Sequence, residues 1–592
     1  MELVRLTIDN FRCIKHAELF FPGHTVLVGD NNVGKSTVLE AIDLVLGPER
    51  LRRIPPINEH DFFAGEYLSY EECPVEIRVE AIIAGLSDEQ LRHFSSNIEW
   101  WNTEDKQLIA EPPPEQTDEP YVMPALRVAF IGAYNPEEDD FEGKTYFMSP
   151  QSEDGTLNIF GANSKRNCGF LYLRTLRTGT RALSLERGSL LDIILRLKEL
   201  RLKMWENILQ QLRTLTVVDE PELGVSDILS SVQSAVKSLI PVDSADNPHL
   251  QVSNLTRENL REIITVFMST GSEATDGTAY NAPFKLQGTG TINALVLSLL
   301  SIIAELKQSV IFAMEEPEIG LPPHTQKRII ESLISKSSQA IFTSHSPYVL
   351  EEFSPDKIIL LNNNSGELQG TPAQLPPSVK LKSYREELRR RFCEALLASR
   401  VLIAEGRTEY DAFISAARRL HELDQDKFKT LSGLGIAVIN AGTDAQVEPL
   451  ARYFTNLGKT VFAVYDKQEE EVGNRIKESV TYAFEAPEKG FENVILNGSQ
   501  ENALRRFALS LVDANLWPYH LRESTPTAEM SNNLLKEALS RFFRGSKGEG
   551  TAADFLYQCS VDEMPTFLLD TLEAICNAIF GNAQPQELVE ES

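Results

Sequence analysis

Two groups of residues in this sequence have types and spacings that could do chemistry on phosphates. The first is Gly29-Asp30-Asn31-Asn32-Val33-Gly34-Lys35-Ser36-Thr37. It fits GxxxxGK[ST], follows the apolar run TVLV and opens the helical pattern STVLEAIDLVL, the context a phosphate-binding loop requires. Gly29 and Gly34, with Asn31 and Asn32 between them, let the backbone turn its N–H groups onto phosphate oxygens. The helix start adds partial positive charge. Lys35 would reach the β- and γ-phosphates of ATP, and the hydroxyl of Ser36, beside Thr37, would ligate Mg²⁺. Downstream, SVIFAMEEPEIGLPPH is an apolar strand ending in two acids. Glu315 stands where an acid would help hold Mg²⁺, and Glu316 where a base would orient the attacking water. The strand-like QAIFT leads to Ser344-His345-Ser346-Pro347. His345 can contact a γ-phosphate there, although a lone histidine is more often structural.

The second group is carboxylate. VLIAE ends at Glu405, and Glu409 lies one turn into the next helical pattern. GIAVI leads to Asn440-Ala441-Gly442, and TVFAVY ends at Asp466. In a parallel sheet these strand ends share one edge, where α/β sheets place their sites. Carboxylates converging there would bind one or two Mg²⁺ or Mn²⁺ ions, hard cations that activate water and stabilise a leaving oxygen. Acids at strand ends are common, so spacing alone leaves a purely structural role open.

These groups need at least two folded domains, and 592 residues provide for two to four. Helical periodicity begins at Ala182, with LLDIILRLKEL and VSDILSSVQSAVKSLI, and a further α/β stretch runs from Val252 to Asn362. Residues 100–165, rich in Pro, Glu, Asp and Asn, read as surface hairpins and loops. NNNSGELQGTPAQLPPSVK reads as a linker before the basic helix SYREELRRRFCEALLAS and a fresh βαβ alternation from Val401 to Tyr465. Lys380, Lys382, Arg385, Arg389, Arg390 and Arg391 form a basic cluster, a candidate contact for a DNA backbone or simply a solvated helix. The net charge of −29 argues against indiscriminate coating of DNA. Six scattered cysteines make no CxxC pair, no apolar run approaches the roughly 20 residues that span a bilayer, and the N-terminus carries no signal-peptide run. A cytoplasmic protein without a membrane partner is expected.

NFRCIK, VGDNNVGKST, LQGTGTINALVLSLL, EEPEIGLPPH and TSHSP together resemble the ATPase of the OLD (overcoming lysogenization defect) family, related to RecF and the SMC heads. VLIAEGRTE and INAGTDAQVEPLARYFTNLGKTVFAVYD resemble the Toprim domain that follows it. The resemblance implies an α/β protein. An ABC-type ATPase occupies 1–181 and 261–372, a helical dimerisation insert 182–260, a basic linker helix 373–397, and a Rossmann-like Toprim nuclease domain 398–592. It implies a homodimer or higher oligomer in which Gly288-Thr289-Gly290 of one subunit closes over ATP held by the other. Glu405 and Glu409 match the first acidic motif, Asp466 the first acid of DxD, Glu492 a later acid, and Lys547 a late lysine that would stabilise the scissile phosphate. Lys547 could equally be a surface lysine. Gln468 stands where DxD has its second acid, and an amide oxygen brings no charge to a metal. The implied activity is an ATP-regulated, metal-dependent DNA endonuclease. Relatives serve in phage defence alone or beside a helicase, reverse transcriptase or other partner. Alternatives are an ATPase scaffold or sensor with a degenerate Toprim domain, a repair clamp, and a transporter ATPase. The clamp is opposed by the missing long coiled coils and by the Toprim-like tail, the transporter by the missing LSGGQ.

Overall fold

The computed structural model describes residues 1–48, 55–109, 121–150, 155–173, 184–186, 189–214, 225–239, 256–273, 275–306, 310–319, 321–379, 389–545 and 550–580. Backbone proximity divides the chain into two compact units. One comprises Met1–Thr25, Gly34–Ser344 and Asn363–Leu368, the other Val26–Val33, His345–Asn362 and Gln369–Ser592.

The chain opens with β1 (Glu2–Phe11) and β2 (Ile14–Phe20), then β3 (Thr25–Val28) and helix α1 (Lys35–Leu46). In the first unit β1 and β2 form an antiparallel hairpin whose Leu6, Ile8, Ala17 and Leu19 are buried. The far side of β1 pairs with β4 (Ile77–Ala84), and β4 with the long β5 (Val122–Asn135), both antiparallel. β5 is also flanked by Ile98–Asn102 and Asp140–Phe147. The 100–165 segment, expected as surface hairpins and loops, is therefore in part sheet, with Ala125, Leu126, Val128, Ala129 and Phe130 buried in β5. Its composition reports the connecting turns, while the burial comes from strands that pair across long sequence separations. Helix α1 is buried along most of its length, as a helix apolar on nearly all sides must be. It packs on β4 and β5 and on the parallel strands β6 (Phe170–Leu173) and β7 (Ile311–Glu315). β8 (Gln339–Thr343) runs parallel to β7, with Glu315 opposite Thr343. Helices Leu190–Leu197, Arg201–Thr214, Val225–Leu239 and Arg257–Ile263 occupy the stretch expected to be helical.

In the second unit β3 pairs in parallel with β9 (Ile358–Asn364), Val26 opposite Ile358. The short helix α2 (Pro347–Leu350) precedes β9. The expected linker is partly regular: the end of β9 and a further strand, Glu367–Pro372, lie within it. Helix α3 (Arg389–Leu397) then leads into a four-stranded sheet. Its elements are β10 (Arg400–Ala404), α4 (Arg407–Leu423), β11 (Ile436–Asn440), α5 (Asp444–Asn456), β12 (Thr460–Tyr465) and β13 (Tyr482–Glu485). The strands lie in the order β11-β10-β12-β13, all parallel. Every residue of Val401–Ala404 and Val461–Tyr465 is buried, as expected for a parallel sheet covered on both faces. Helix α6 (Phe491–Gly498) and four later helices, from Glu501 to Phe580, share one core with α4 around Phe413, Phe491, Phe507 and Phe555. Among the described residues no helix is long and apolar enough to cross a membrane.

Candidate functional site

The phosphate-binding loop is shaped by backbone that few residues other than glycine adopt. Gly29 has φ 157° and Gly34 φ 113°, with Asn32 at φ 66° between them. A Cβ on Gly29 would stand 2.7 Å from the Leu361 carbonyl oxygen, so the loop closes against β9 only because that atom is missing. Asp30 accepts the N–H of Val33, and Gly34 that of Val38, which carries the turn into α1. The first turn of α1 has no acidic residue to compete for its N–H groups. Lys35 and Thr37 are buried there, while Asn31, Asn32 and Ser36 are exposed.

In the first unit, β7 ends at Glu315 and the chain turns through Glu316 at φ 45°, a left-handed conformation for a residue with a side chain. The Glu316 N–H donates to Thr343 at 2.9 Å, which ties this turn to the end of β8. The Tyr172 hydroxyl donates to Glu315, and the Ser344 hydroxyl donates to Glu318 Oε1 at 3.0 Å. Gly288, with open space about its α-carbon, precedes the long helix Thr289–Leu306, so Thr289 and Gly290 form its first turn. In the second unit His345 is exposed, two residues before α2.

The carboxylates lie within the second unit. Parallel pairing sets Ala404 level with Asn440 and Val464, so Glu405 and Asp466 emerge from one sheet edge. Glu405 donates its N–H to Val464 at 3.0 Å, and its Oε2 accepts from the Asp466 N–H at 2.9 Å and the Gln468 side-chain amide at 3.2 Å. Asp466 Oδ2 accepts the Gly490 N–H at 2.8 Å. Glu409 lies in the first turn of α4, where a Cβ on Gly406 would stand 2.7 Å from its Oε2; glycine makes room for that carboxylate. Burial pushes the Glu409 carboxyl up to about 7, helped by the charges of Asp466, Glu405 and Glu492. Burial also raises the Glu405 carboxyl, with Asp466 and Asp444 adding to it and its N–H donors opposing. Glu492 is buried in α6 and accepts from the Thr408 hydroxyl at 3.3 Å. Four expected site acids therefore stand in one electrostatic neighbourhood. Glu485, which accepts the Gln468 N–H at 3.1 Å, was missed, although TYAFE ends in an acid just as VLIAE does. Lys547, with Lys380, Lys382 and Arg385, lies outside the described residues.

Comparison with known proteins separates these two sites by domain. Residues 1–114 and 188–350 match an AAA ATPase domain. Residues 396–467 match the TOPRIM domain of overcoming lysogenization defect protein-like proteins. The chain is 24% identical over 466 residues to the Old nuclease of Escherichia phage P2, covering 72% of each chain. It is 24% identical over 508 residues to the OLD nuclease of Thermus scotoductus, covering 78% of this chain and 82% of that one. The chain thus carries an AAA ATPase domain followed by an overcoming lysogenization defect protein-like TOPRIM domain. A solved SMC head, bound in its crystal to the C-winged helix domain of ScpA, is 15% identical with a TM-score of 0.34, covering 63% of this chain and 98% of that one. The P-loop, Glu315, Glu316 and His345 fall inside the ATPase match, and Glu405, Glu409 and Asp466 inside the TOPRIM match, with Glu492 beyond it.

A TOPRIM domain implies a divalent cation. The donors at this edge are all oxygen, from acids that raise one another's proton affinity, and that chemistry fits a hard cation. As the side chains stand, no three His, Cys, Asp or Glu residues among those described are gathered as a metal cluster. Glu405 Oε2 is engaged by N–H donors that a cation would displace.

Proposed function

We propose that this protein binds and hydrolyses ATP and cuts DNA at its TOPRIM domain with a divalent cation, Mg²⁺ or Mn²⁺. The observation that carries the reading is the convergence of Glu405, Glu409, Asp466 and Glu492 in one electrostatic neighbourhood at a parallel-sheet edge. The names of the two relatives support a nuclease, and the P-loop supports ATP as the controlling ligand. Lys35 and the N–H groups of the loop hold the β- and γ-phosphates, with Ser36 and Glu315 as ligands of the nucleotide's Mg²⁺. Glu316 orients the attacking water, and His345 contacts the γ-phosphate. Two subunits form a dimer in which Gly288 and Gly290 of each complete the nucleotide site of the other.

At the TOPRIM edge Glu405, Glu409 and Asp466 hold the cation, with Glu492 beside them. A cation bound there supplies a Lewis acid to a phosphodiester oxygen and lowers the pKa of a bound water. Glu409, whose carboxyl burial raises to about 7, would have to be ionised to serve as a ligand. Lys547 neutralises charge on the scissile phosphate. The biological setting we favour is defence against phage, with a helicase or reverse transcriptase as a candidate companion.

The Gln468 amide on Glu405 Oε2 favours a second reading, an ATPase sensor or scaffold whose TOPRIM site no longer cuts. Cleavage of supercoiled plasmid with Mg²⁺ or Mn²⁺, with and without ATP, decides between them in wild type, Lys35→Ala and Glu405→Ala. Cutting that needs metal and disappears in Glu405→Ala supports the nuclease. ATP hydrolysis without cutting under any condition moves the sensor ahead.

A further inference from the structure

Two consecutive arginines of α3 each lie on a tyrosine, and the two tyrosines belong to different segments. The Arg390 guanidinium stands 4.6 Å from the ring centroid of Tyr348 and donates to its hydroxyl at 2.5 Å. Tyr348 sits in α2, three residues after His345, and α2 packs directly on α3. The Arg391 guanidinium stands 4.0 Å from the ring centroid of Tyr410, the residue next to Glu409 in α4. Arg407 approaches the same ring at 5.7 Å and pairs with Asp411 at 2.7 Å, which ties the ring to the first turn of α4. All these residues lie in one compact unit.

Neighbouring helical residues project about 100° apart, so one nine-residue helix can hold partners on different sides without bending. Arginine over an aromatic face is held by the ring quadrupole and by contact area, and such a pair tolerates small sliding motions better than a bidentate ion pair does. The only carboxylate partner recorded for Arg390 among the described residues is Glu394, at 3.4 Å, and both side chains are largely exposed. That pair contributes little. The tyrosine contacts therefore dominate what these two arginines do. Two of the six basic residues expected to face a DNA backbone thus also have aromatic partners within the fold, Arg390 while still largely exposed.

We propose that α3 is a relay between the two chemistries: Arg390 on Tyr348 follows the nucleotide-dependent position of the His345 segment, and Arg391 on Tyr410 passes it to the helix turn that positions Glu409. The proposal rests on the reading of His345 as a γ-phosphate contact and of Glu405 and Glu409 as cation ligands. Arg390, Arg391, Tyr348 and Tyr410 are positioning residues in it and touch neither phosphate nor cation. Coupling carried through a packed element of this kind is commonly of order fivefold or more in the linked equilibrium.

The test uses the full chain and a non-hydrolysable ATP analogue. Hydrogen–deuterium exchange of residues 400–412 is measured with and without the analogue in wild type, Arg391→Met, Tyr348→Leu and Tyr410→Phe. In wild type the analogue changes protection of this segment. In Arg391→Met and Tyr348→Leu the change is lost, while affinity for the analogue stays within about threefold of wild type. Tyr410→Phe keeps the ring and so keeps the wild-type response. Equal responses in wild type and Arg391→Met, no response in wild type, or loss of response in Tyr410→Phe would each overturn the relay. Plasmid cleavage read alongside separates the two claims. If nothing cuts, the nuclease reading fails and exchange still decides the relay. If Arg391→Met cuts with the same dependence on nucleotide as wild type, the relay fails and the nuclease stands.

Discussion

The P-loop and the carboxylate edge both lie at the ends of buried parallel strands, yet they are built from opposite materials. The P-loop is nine contiguous residues whose backbone N–H groups are proposed to do most of the binding, and its shape is written into glycines at φ 157° and 113°. The carboxylate edge is assembled from side chains of Glu405, Glu409, Asp466 and Glu492, spread over nearly ninety residues and brought together by strand register and helix packing. A backbone site tolerates side-chain change around it and fails when its geometry is blocked. A side-chain site survives small shifts of backbone and fails when a charge is removed or its protonation changes.

The largest expected effect on cleavage is at Asp466. Asp466→Ala is expected to reduce metal-dependent plasmid cleavage by about a hundredfold or more, because both its oxygen donors and its negative charge are lost. Gln468→Ala should cost far less, about tenfold at most, since an amide adds no charge to the site. Equal losses at the two positions would break the contrast between an essential ligand and a supporting donor. On the nucleotide side, Glu316→Gln is expected to slow ATP hydrolysis by about a hundredfold while leaving nucleotide affinity nearly unchanged. Isothermal titration beside a phosphate-release assay measures both quantities. A large loss of affinity would mean that the strained turn, and not the carboxylate, is what this position contributes.

A smaller effect sharpens the comparison through pH. The folded Glu409 carboxyl titrates at about 7, above its ordinary range, so the native state holds a proton that the unfolded chain releases earlier. This contribution to stability is present at low pH and is lost as pH rises through about 7. Glu409→Gln should therefore be more stable than wild type at pH 8, by on the order of 3 kcal/mol, with the difference shrinking toward pH 4. A constant difference across that range would place the shift elsewhere. The last contrast sets the two glycines against each other, and its Gly406 half is the smallest effect. Gly29→Ala would press a Cβ against the Leu361 carbonyl and should abolish nucleotide binding, whereas Gly406→Ala meets only the movable end of Glu409. The latter should change stability by about 0.5 kcal/mol while weakening Mn²⁺ binding. Thermal melts with and without Mn²⁺ read both terms.

Much of this was legible along the chain. The P-loop, the paired acids after VIFAM and the acids closing VLIAE and TVFAVY are local signals: an apolar strand, an abrupt polar end and a helix start, each within about a dozen residues. The parallel order of the C-terminal strands followed from their alternation with helices. What the sequence left open depends on pairing across long separations. The burial of Val122–Asn135 in a sheet arises from strands some forty residues upstream, which no window of local composition reports. Glu485 and Gly490 join the carboxylate edge only because β12 and β13 run side by side in register. The raised proton affinity of Glu409 exists only once three other acids and a packed helix surround it. That Arg390 and Arg391 sit on tyrosines was decided by the packing of α3 on α2 and by the approach of Tyr410 from α4. Local sequence picked out the residues proposed to carry the chemistry, because strand ends and glycine turns are set by short-range sterics. Tertiary structure decided which charges meet and at what proton affinity, because desolvation and Coulomb forces act through space.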